Sequence, residues 1–223
     1  MATETARGLT LQEQFGQIDI YLFDQLLRGN IASGMRLLDA GCGHGRNLVH
    51  LLREGYEVFG VDANAQAVRA VQEMAAQLTP GLPSGSFQVT AANFQVAQIE
   101  AMPFPDSFAD VVVCNSVLHF ARDEAQFDAM VMGLWRVLRP GGMLFCRLAS
   151  TIGAGTGMEF ERVEGADSSR RFRLPDGAVW FLVDEAMLMR LTRALVGQLI
   201  DPLKTTVVQG HRCMTTWVVR KGC

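Results

Sequence analysis

The stretch that decides the fold lies at residues 37–45 and reads LLDAGCGHG, a short apolar run that enters a glycine-rich turn. Such a turn between a strand and a helix lets the backbone approach a ligand closely and points free N–H groups toward it. In a dinucleotide-binding fingerprint two residues separate the second glycine from the third. Here only His44 separates Gly43 from Gly45, so the third glycine comes one residue early. By itself the turn is equally compatible with a ligand site and with a purely structural role.

Strands and helices are expected to alternate around this turn. Apolar runs predict strands over residues 35–40, 57–62, 94–98, 110–114 and 143–148, and apolar residues at helical spacing predict helices over 47–54, 65–78 and 124–138. The strands are apolar on both faces, which is typical of a parallel sheet covered by helices on both sides. The sequence therefore predicts an α/β fold with a doubly wound, mostly parallel sheet.

The two ends of the chain extend this pattern. Apolar spacing predicts one helix over residues 11–28, so that residues 1–30 form an N-terminal helical cap. Residues 150–183 are expected to form a polar insertion, and Asp184 to cap a helix that reaches residue 196. Strands at 203–208 and 212–219 are expected to form a hairpin. No segment has the composition of a linker, so residues 1–223 are expected to form a single domain.

Composition and charge exclude several classes of protein. The 223 residues are 49% hydrophobic and 19% charged, as in a soluble enzyme, and the formal charge of −3 gives no electrostatic reason to expect a nucleic-acid partner. The five cysteines form no Cys-x-x-Cys pair, so we expect reduced thiols and no metal site. No apolar run approaches the roughly 20 residues of a spanning helix, and residues 1–8 do not resemble a signal peptide. A cytoplasmic location without membrane contact is expected.

A carboxylate lies at the end of the predicted strand that follows the glycine-rich turn. Asp62 ends the second predicted strand, 23 residues after Asp39. In a doubly wound sheet a carboxylate at this position lies beside the crevice, where it can accept hydrogen bonds from ribose hydroxyls. Asp62 could instead cap the helix that follows, or it could have both roles.

Several segments together resemble the class I S-adenosylmethionine (SAM)-dependent methyltransferases. In the order of that family, they are residues 37–45, 58–62, 102–104 with 110–113, 117–119 and 138–142. The resemblance implies a seven-stranded sheet with helices on both faces and an antiparallel last strand. It also implies an enzyme that transfers the methyl group of SAM to a small molecule. Such transfer depends mainly on in-line alignment of acceptor, methyl group and sulfur in a closed site.

The same resemblance implies which residues bind the cofactor. The turn would lie against its methionyl part and ribose, Asp62 with Ala63 would take the ribose hydroxyls, and Asn115 would lie near the methionyl amino group. In place of the acidic residue that often holds the adenine amine, this chain has Gln98, followed by Ile99. The complete set of expected cofactor-binding residues is Asp39, Gly41, Cys42, Gly43, Asn47, Asp62, Ala63, Gln98, Ile99 and Asn115.

The acceptor is expected to contact residues outside this set. His119 is either a general base or a histidine hydrogen-bonded into the wall. The insertion is either a flap, with Trp180 or Phe181 packed on the acceptor, or a solvated hairpin with its aromatic residues in the core. In the first case Arg147, Arg171 and Arg173 favour a carboxylate or another anion as acceptor. The expected substrate-binding residues are Tyr21, Arg147, Arg173 and Trp180.

Other functions remain open at this stage. A SAM-binding sensor or partner subunit without catalysis would carry the same turn. A nicotinamide-dependent oxidoreductase is disfavoured by the early third glycine. A nucleic-acid amino methyltransferase is disfavoured because residues 115–118 read NSVL instead of Asn/Asp-Pro-Pro-aromatic. The acceptor and the oligomeric state are not predicted by the sequence.

Overall fold

The computed structural model describes residues 9–79, 87–155, 158, 160–163 and 170–223. Its main sheet contains β1 (Arg36–Ala40), β2 (Glu57–Asp62), β3 (Phe94–Val96), β4 (Ala109–Asn115), β5 (Leu138–Ser150), β9 (Gly197–Leu199), β10 (Lys204–Val208) and β11 (Arg212–Lys221). A small antiparallel sheet contains β6 (Glu161–Arg162), β7 (Arg171–Arg173) and β8 (Val179–Phe181). The α-helices are α1 (Leu11–Phe15), α2 (Ile20–Leu27), α3 (Val49–Arg53), α4 (Ala65–Leu78), α5 (Glu124–Val137) and α6 (Glu185–Ala194).

The main sheet confirms the predicted fold class. Seven strands lie in the order β3-β2-β1-β4-β5-β11-β10, and β9 pairs with one end of β11. The strands from β3 to β5 are parallel, and β11 is antiparallel to both of its neighbours. The fold is therefore α/β, with a mostly parallel seven-stranded sheet whose last strand is antiparallel. The predicted hairpin at the end of the chain is the β10–β11 pair.

Helices cover both faces of the sheet, which explains why its strands are apolar throughout. Leu38 and Val112 join the core on the face covered by α5 and α6. Their neighbours Leu37 and Val113 join the core on the face covered by α2, α3 and α4. Because alternate side chains of a strand point to opposite faces, burial on both sides requires an unbroken apolar run. In the described part of the chain no helix is long and apolar enough to cross a membrane.

The prediction of a single helix over residues 11–28 is wrong. The segment forms two helices, α1 and α2, separated by a turn at residues 16–19. Gly16 has a φ of 64°, and the Asp19 side chain caps α2 by accepting a hydrogen bond from the backbone N–H of Tyr21. The apolar spacing continues across the turn, so the pattern of hydrophobic residues concealed the break.

Other predicted boundaries also differ from the structure. Helix α3 begins at Val49 instead of residue 47, and β3 ends at Val96 instead of residue 98. Strand β5 begins at Leu138, because the Pro-Gly-Gly segment that was expected to separate α5 from the strand is part of it. Within the predicted insertion the described residues form the small sheet, and Ser150 bridges to Val183. Residues 156, 157, 159 and 164–169 of that insertion lie outside the described residues.

Candidate active site

The three glycines of the turn at residues 41–45 are needed for different structural reasons. All three have positive φ, at 84° for Gly41, 51° for Gly43 and 77° for Gly45. A Cβ atom on Gly41 would collide with the side chain of Val117, and one on Gly45 would collide with side chains of α4. A Cβ atom on Gly43 would meet nothing within 4 Å. The first and third glycines therefore permit close packing, whereas Gly43 presents its backbone to open space.

That open space is a cavity of about 730 Å³, here called the loop cavity. It lies at the carboxyl ends of β1, β2 and β4, where ligands collect in open α/β sheets. Of the residues expected to bind the cofactor, those in its wall are Gly41, Cys42, Gly43, Asn47, Asp62, Ala63, Gln98, Ile99 and Asn115. Asp39 is outside this wall.

The Asp62 carboxylate joins the glycine turn to the end of β2. Its Oδ2 accepts a hydrogen bond of 2.9 Å from the backbone N–H of Gly43, and its Oδ1 accepts one of 2.8 Å from the N–H of Asn64. Each oxygen can accept a further hydrogen bond, for example from a hydroxyl group. The alternative role of Asp62 as a helix cap is wrong, because Asn64 caps α4.

Asp39 is a buried carboxyl group without a hydrogen bond. Neither of its oxygens has a partner among the described residues. Burial raises the pKa of Asp39 to about 7; Arg46 opposes this rise and Asp62 adds to it. A buried polar group without a partner is uncommon and needs an explanation such as a bound ligand.

A carboxylate is present at the end of the loop cavity near Gln98. Gln98 precedes a short 3₁₀ turn at Ile99–Ala101, and Glu100 in that turn lines the cavity. The Glu100 side chain accepts a hydrogen bond of 3.0 Å from Gln126, which also lines the cavity. Sequence reasoning identified Gln98 and missed the acidic residue two positions later.

Arg46 connects the glycine turn to the end of β4. Its guanidinium donates a hydrogen bond of 2.7 Å to Oδ1 of Asn115, while Nδ2 of Asn115 is buried without an acceptor in the described chain. Ser116, the next residue, has a φ of 65° and donates its backbone N–H to the carbonyl of Arg147. A non-glycine residue with positive φ marks a strained position of the kind found at functional sites.

A second cavity of about 310 Å³, here called the side cavity, adjoins the first. Arg46, Ser116 and Phe120 line both cavities. The other residues in the wall of the side cavity are His119, Arg147, Trp180, Val208, Arg212 and Met214. Three of the residues predicted to face an acceptor, namely His119, Arg147 and Trp180, therefore surround one space.

His119 is neutral in this environment. Burial, and secondarily the positive charge of Arg212, lowers the pKa of His119 to about 4. Its ring lies against Trp180, with 4.3 Å between the ring centroids, and its Nδ1 is buried without a hydrogen-bond partner among the described residues. At neutral pH the ring is therefore uncharged and only weakly basic.

Asp19 organises the N-terminal side of the site, and sequence reasoning missed it. Its carboxylate forms a 2.6 Å salt bridge with Arg147, and its backbone N–H donates to Oδ1 of Asn47. The Tyr21 ring lies 5.0 Å from the guanidinium of Arg147, and its hydroxyl bonds to Thr206. Tyr21 lines neither cavity and instead packs against the guanidinium of Arg147.

The insertion contributes less to the site than the flap hypothesis expected. Phe181 is buried in the core and stacks on Phe127. Arg173 is paired with Glu161 at 3.8 Å and lines neither cavity. Trp180 is the residue of this group that reaches the side cavity. The arginines there come instead from the glycine turn, β5 and β11.

Comparison with known proteins identifies the family. Residues 38–146 match the model of a methyltransferase domain. An uncharacterised methyltransferase of Synechocystis is 31% identical over 192 residues, which cover 85% of this chain and 76% of that protein. The chain belongs to the SAM-dependent methyltransferases. It is an enzyme of the transferase class, and SAM is its cofactor.

Two further proteins are similar over different shares of their length. The malonyl-[acyl-carrier protein] O-methyltransferase of Serratia marcescens is 31% identical over 142 residues. These residues cover 61% of this chain and 48% of that relative, so the chain spans about half of the relative's length. The crystal structure of the 1,6-didemethyltoxoflavin-N1-methyltransferase of Burkholderia thailandensis, with S-adenosylhomocysteine bound, superposes with a TM-score of 0.66. It is 17% identical, and the superposition covers 93% of this chain and 80% of the other.

The loop cavity fits the cofactor of this family. The open backbone at Gly43 allows close approach of a ligand, and the Asp62 oxygens can accept hydrogen bonds from hydroxyl groups. SAM carries a sulfonium and an ammonium group, and a positive charge nearby would compensate the unpaired Asp39 carboxyl group. When bound, SAM supplies an activated methyl group.

Proposed function

We propose that this methyltransferase acts on a small molecule that binds in the side cavity while the cofactor occupies the loop cavity. The observation that carries this proposal is the shared wall of the two cavities, formed by Arg46, Ser116 and Phe120. Methyl transfer requires acceptor and donor to meet in line, so two adjoining spaces with a common boundary suit the reaction. The side cavity has the size of a small-molecule site.

Within the loop cavity we assign parts of the cofactor to groups of residues. The glycine turn, with Cys42 and Asn47, would bind the methionyl part and the ribose, and Asp62 with Ala63 would take the ribose hydroxyls. Gln98 and Ile99 would contact the adenine. Asn115 would lie near the methionyl end, and Asp39, outside the wall, would act on the positive charge of that end through space. The partnerless oxygens of Asp39 support the last assignment.

For His119 we propose a role in the wall in place of proton abstraction. A conjugate acid with a pKa of about 4 belongs to a base too weak to remove a proton efficiently at neutral pH. The contact with Trp180 holds the ring against the side cavity. Catalysis then rests on alignment of the reactants.

We also propose that the enzyme acts in the cytoplasm and on no nucleic acid. The formal charge of −3 supports this, because nucleic-acid-binding surfaces are usually basic. The name of the Burkholderia enzyme, a methyltransferase of 1,6-didemethyltoxoflavin, supports a small-molecule acceptor.

The proposal is tested by filling the side cavity. Val208 lines it, whereas the adjacent Val207 is 49% exposed and lies outside both walls. We expect Val208→Phe to bind S-adenosylhomocysteine as the parent does in calorimetry, and to lose at least about tenfold in kcat/KM for any acceptor that the parent methylates. Val207→Phe is the matched control and should retain both properties. Full turnover by Val208→Phe would contradict the proposal.

A further inference from the structure

We propose that the acceptor is a small planar organic anion, and that Arg46 and Arg212 select it by charge. This inference rests on the proposed function, since it concerns the molecule that enters the side cavity. It commits to a class of substrate that carries a carboxylate or a comparable ionised oxygen. Neutral and cationic molecules of the same shape would be disfavoured.

The first observation is the charge of the wall. Three arginines line the side cavity, Arg46, Arg147 and Arg212, and none of the described residues in its wall is a carboxylate. The charge of Arg147 is compensated by its salt bridge to Asp19. Two positive charges at the cavity therefore remain for an anion to meet.

The partners of these two arginines leave their charge available. Arg46 donates to the neutral amide of Asn115 and forms no salt bridge with a carboxylate among the described residues; its charge lowers the pKa of Asp39, which burial nevertheless raises to about 7. Arg212 pairs with no carboxylate among the described residues, and its guanidinium lies 6.0 Å from the centroid of the Trp180 ring. Arginine presents a planar fork of donors that matches a carboxylate.

The second observation is a buried donor without an acceptor. Nε of Arg147 is buried and has no hydrogen-bond partner within the described ranges, and Arg147 lines the side cavity. Leaving a buried donor unpaired costs free energy, and an anionic oxygen would remove that cost.

The third observation distinguishes an organic anion from a bare inorganic ion. Phe120 and Trp180 line the side cavity with their rings nearly perpendicular, at 6.2 Å between centroids. Phe120 is 63% exposed although it is a large aromatic residue, and it stands at the boundary with the loop cavity. With Val208 and Met214 these rings make an apolar surface that a planar carbon skeleton would cover.

The bound cofactor strengthens the preference for an anion. The positive charge of the bound cofactor would add to that of the arginines. A cationic acceptor would be repelled by both.

The charge of the side cavity can be measured without knowing the acceptor. Trp135 and Trp217 are buried, whereas Trp180 is partly exposed, so collisional quenching of fluorescence reports mainly on Trp180. We expect iodide to quench the parent more strongly than caesium does, and Arg212→Gln to lower iodide quenching about twofold or more without affecting quenching by neutral acrylamide. Arg220→Gln, on the same strand and outside both cavities, is the matched control and should behave as the parent. Equal iodide quenching in the parent and in Arg212→Gln would overturn the inference.

The second arm uses matched acceptors. Hydroxybenzoates and catechol carboxylates would be offered with SAM beside their uncharged primary amides. We expect kcat/KM for the acids to exceed that for the amides by about tenfold or more, and Arg212→Gln to reduce this ratio toward one. Equal turnover of acids and amides would overturn the inference. If S-adenosylhomocysteine binds and no acceptor is turned over, the proposed function fails for this range of molecules. The quenching result then decides alone whether the side cavity attracts anions.

Discussion

Burial shifts the pKa values of Asp39 and His119 in opposite directions, and in each residue it favours the uncharged form. Burial raises the pKa of Asp39 to about 7, so the folded protein keeps a proton that the unfolded chain loses above its ordinary pKa of 3.8. Burial lowers the pKa of His119 to about 4, so the unfolded chain binds a proton below pH 6.5 that the folded protein does not. As pH rises, Asp39 lowers the free energy of unfolding and His119 increases it. Between about pH 4 and 6.5 the two contributions oppose each other.

Substitution of Asp39 should separate these contributions. In the cofactor-free protein Asp39→Asn removes the contribution of Asp39 to the free energy of unfolding, which falls as pH rises. The free energy of unfolding of the variant, relative to that of the parent, should therefore rise between about pH 4.5 and 6.5, by up to about 1.4 kcal/mol per pH unit. Urea unfolding at several pH values measures this difference. Glu73→Gln, at an exposed carboxylate, should show no comparable trend. A constant difference between Asp39→Asn and the parent would contradict the account of Asp39.

The role of His119 can be decided by its substitution. Removal of a general base costs about 10²–10⁴ in rate. Because the His119 ring is neutral and weakly basic, we expect His119→Gln to lower kcat less than about tenfold at neutral pH. The pH profile of the parent should likewise show no inflection near pH 6.5. A loss of several hundredfold, with S-adenosylhomocysteine affinity retained, would instead identify His119 as the base.

Individual residues could be predicted where a motif placed them. Gly41, Gly43 and Asp62 follow from the turn and the end of β2, and the structure places them in one wall. Arg46, Arg212 and Asp19 could not be found in this way. Each is a charged residue in or beside a loop, where no periodicity operates, and their proximity depends on contacts between distant parts of the chain.

At the scale of elements, the turn between α1 and α2 decides how the N-terminal cap meets the site. Gln17 in this turn lines the loop cavity, and Asp19 joins the turn to β5 through Arg147 and to the glycine-rich segment through Asn47. A continuous helix over this region would leave neither connection possible. The break that hydrophobic spacing concealed therefore brings the cap to the loop cavity.

Substitution of Asp19 should loosen this cap. The Asp19–Arg147 pair is largely buried, with side-chain exposures of 3% and 17%, and breaking a buried pair costs about 3–5 kcal/mol. We expect Asp19→Asn to lower the free energy of unfolding on that scale and to weaken S-adenosylhomocysteine binding, as measured by urea unfolding and calorimetry. Asp24→Asn, at a half-exposed pair in α2, should cost less than about 1 kcal/mol and leave binding intact. Equal effects of the two substitutions would contradict the role given to Asp19.

The central strands were predictable for a physical reason. Helices bury both faces of β1, β2 and β4. The sequences of these strands are therefore apolar throughout, and the ends of the strands can be recognised in the sequence. The start of β5 was not predictable, because Pro140 and two glycines normally interrupt regular structure. In this protein the pairing of β5 with β4 and β11 overrides that local preference.

At the scale of the whole molecule, the fold brings two spaces together along one edge of the sheet. The parallel strands end at the loop cavity, while β5, β11 and the insertion supply the side cavity. The antiparallel β11 is essential to this arrangement, because it brings Arg212 and Met214 beside residues that follow β4. The two cavities are thereby built mainly from different parts of the chain, and Arg46 lines both of them.

The central claim is that SAM binds in the loop cavity through the glycine turn and Asp62. Calorimetric titration with S-adenosylhomocysteine tests it most directly, with Asp62→Ala compared against the parent and against Asn64→Ala, which removes only the cap of α4. We expect one site per chain in the parent, a loss of about tenfold or more in affinity for Asp62→Ala, since hydrogen bonds to a charged group contribute about 1.5–3 kcal/mol, and near-parent affinity for Asn64→Ala. Absence of binding by the folded parent, or equal affinity in the parent and in Asp62→Ala, would contradict the claim.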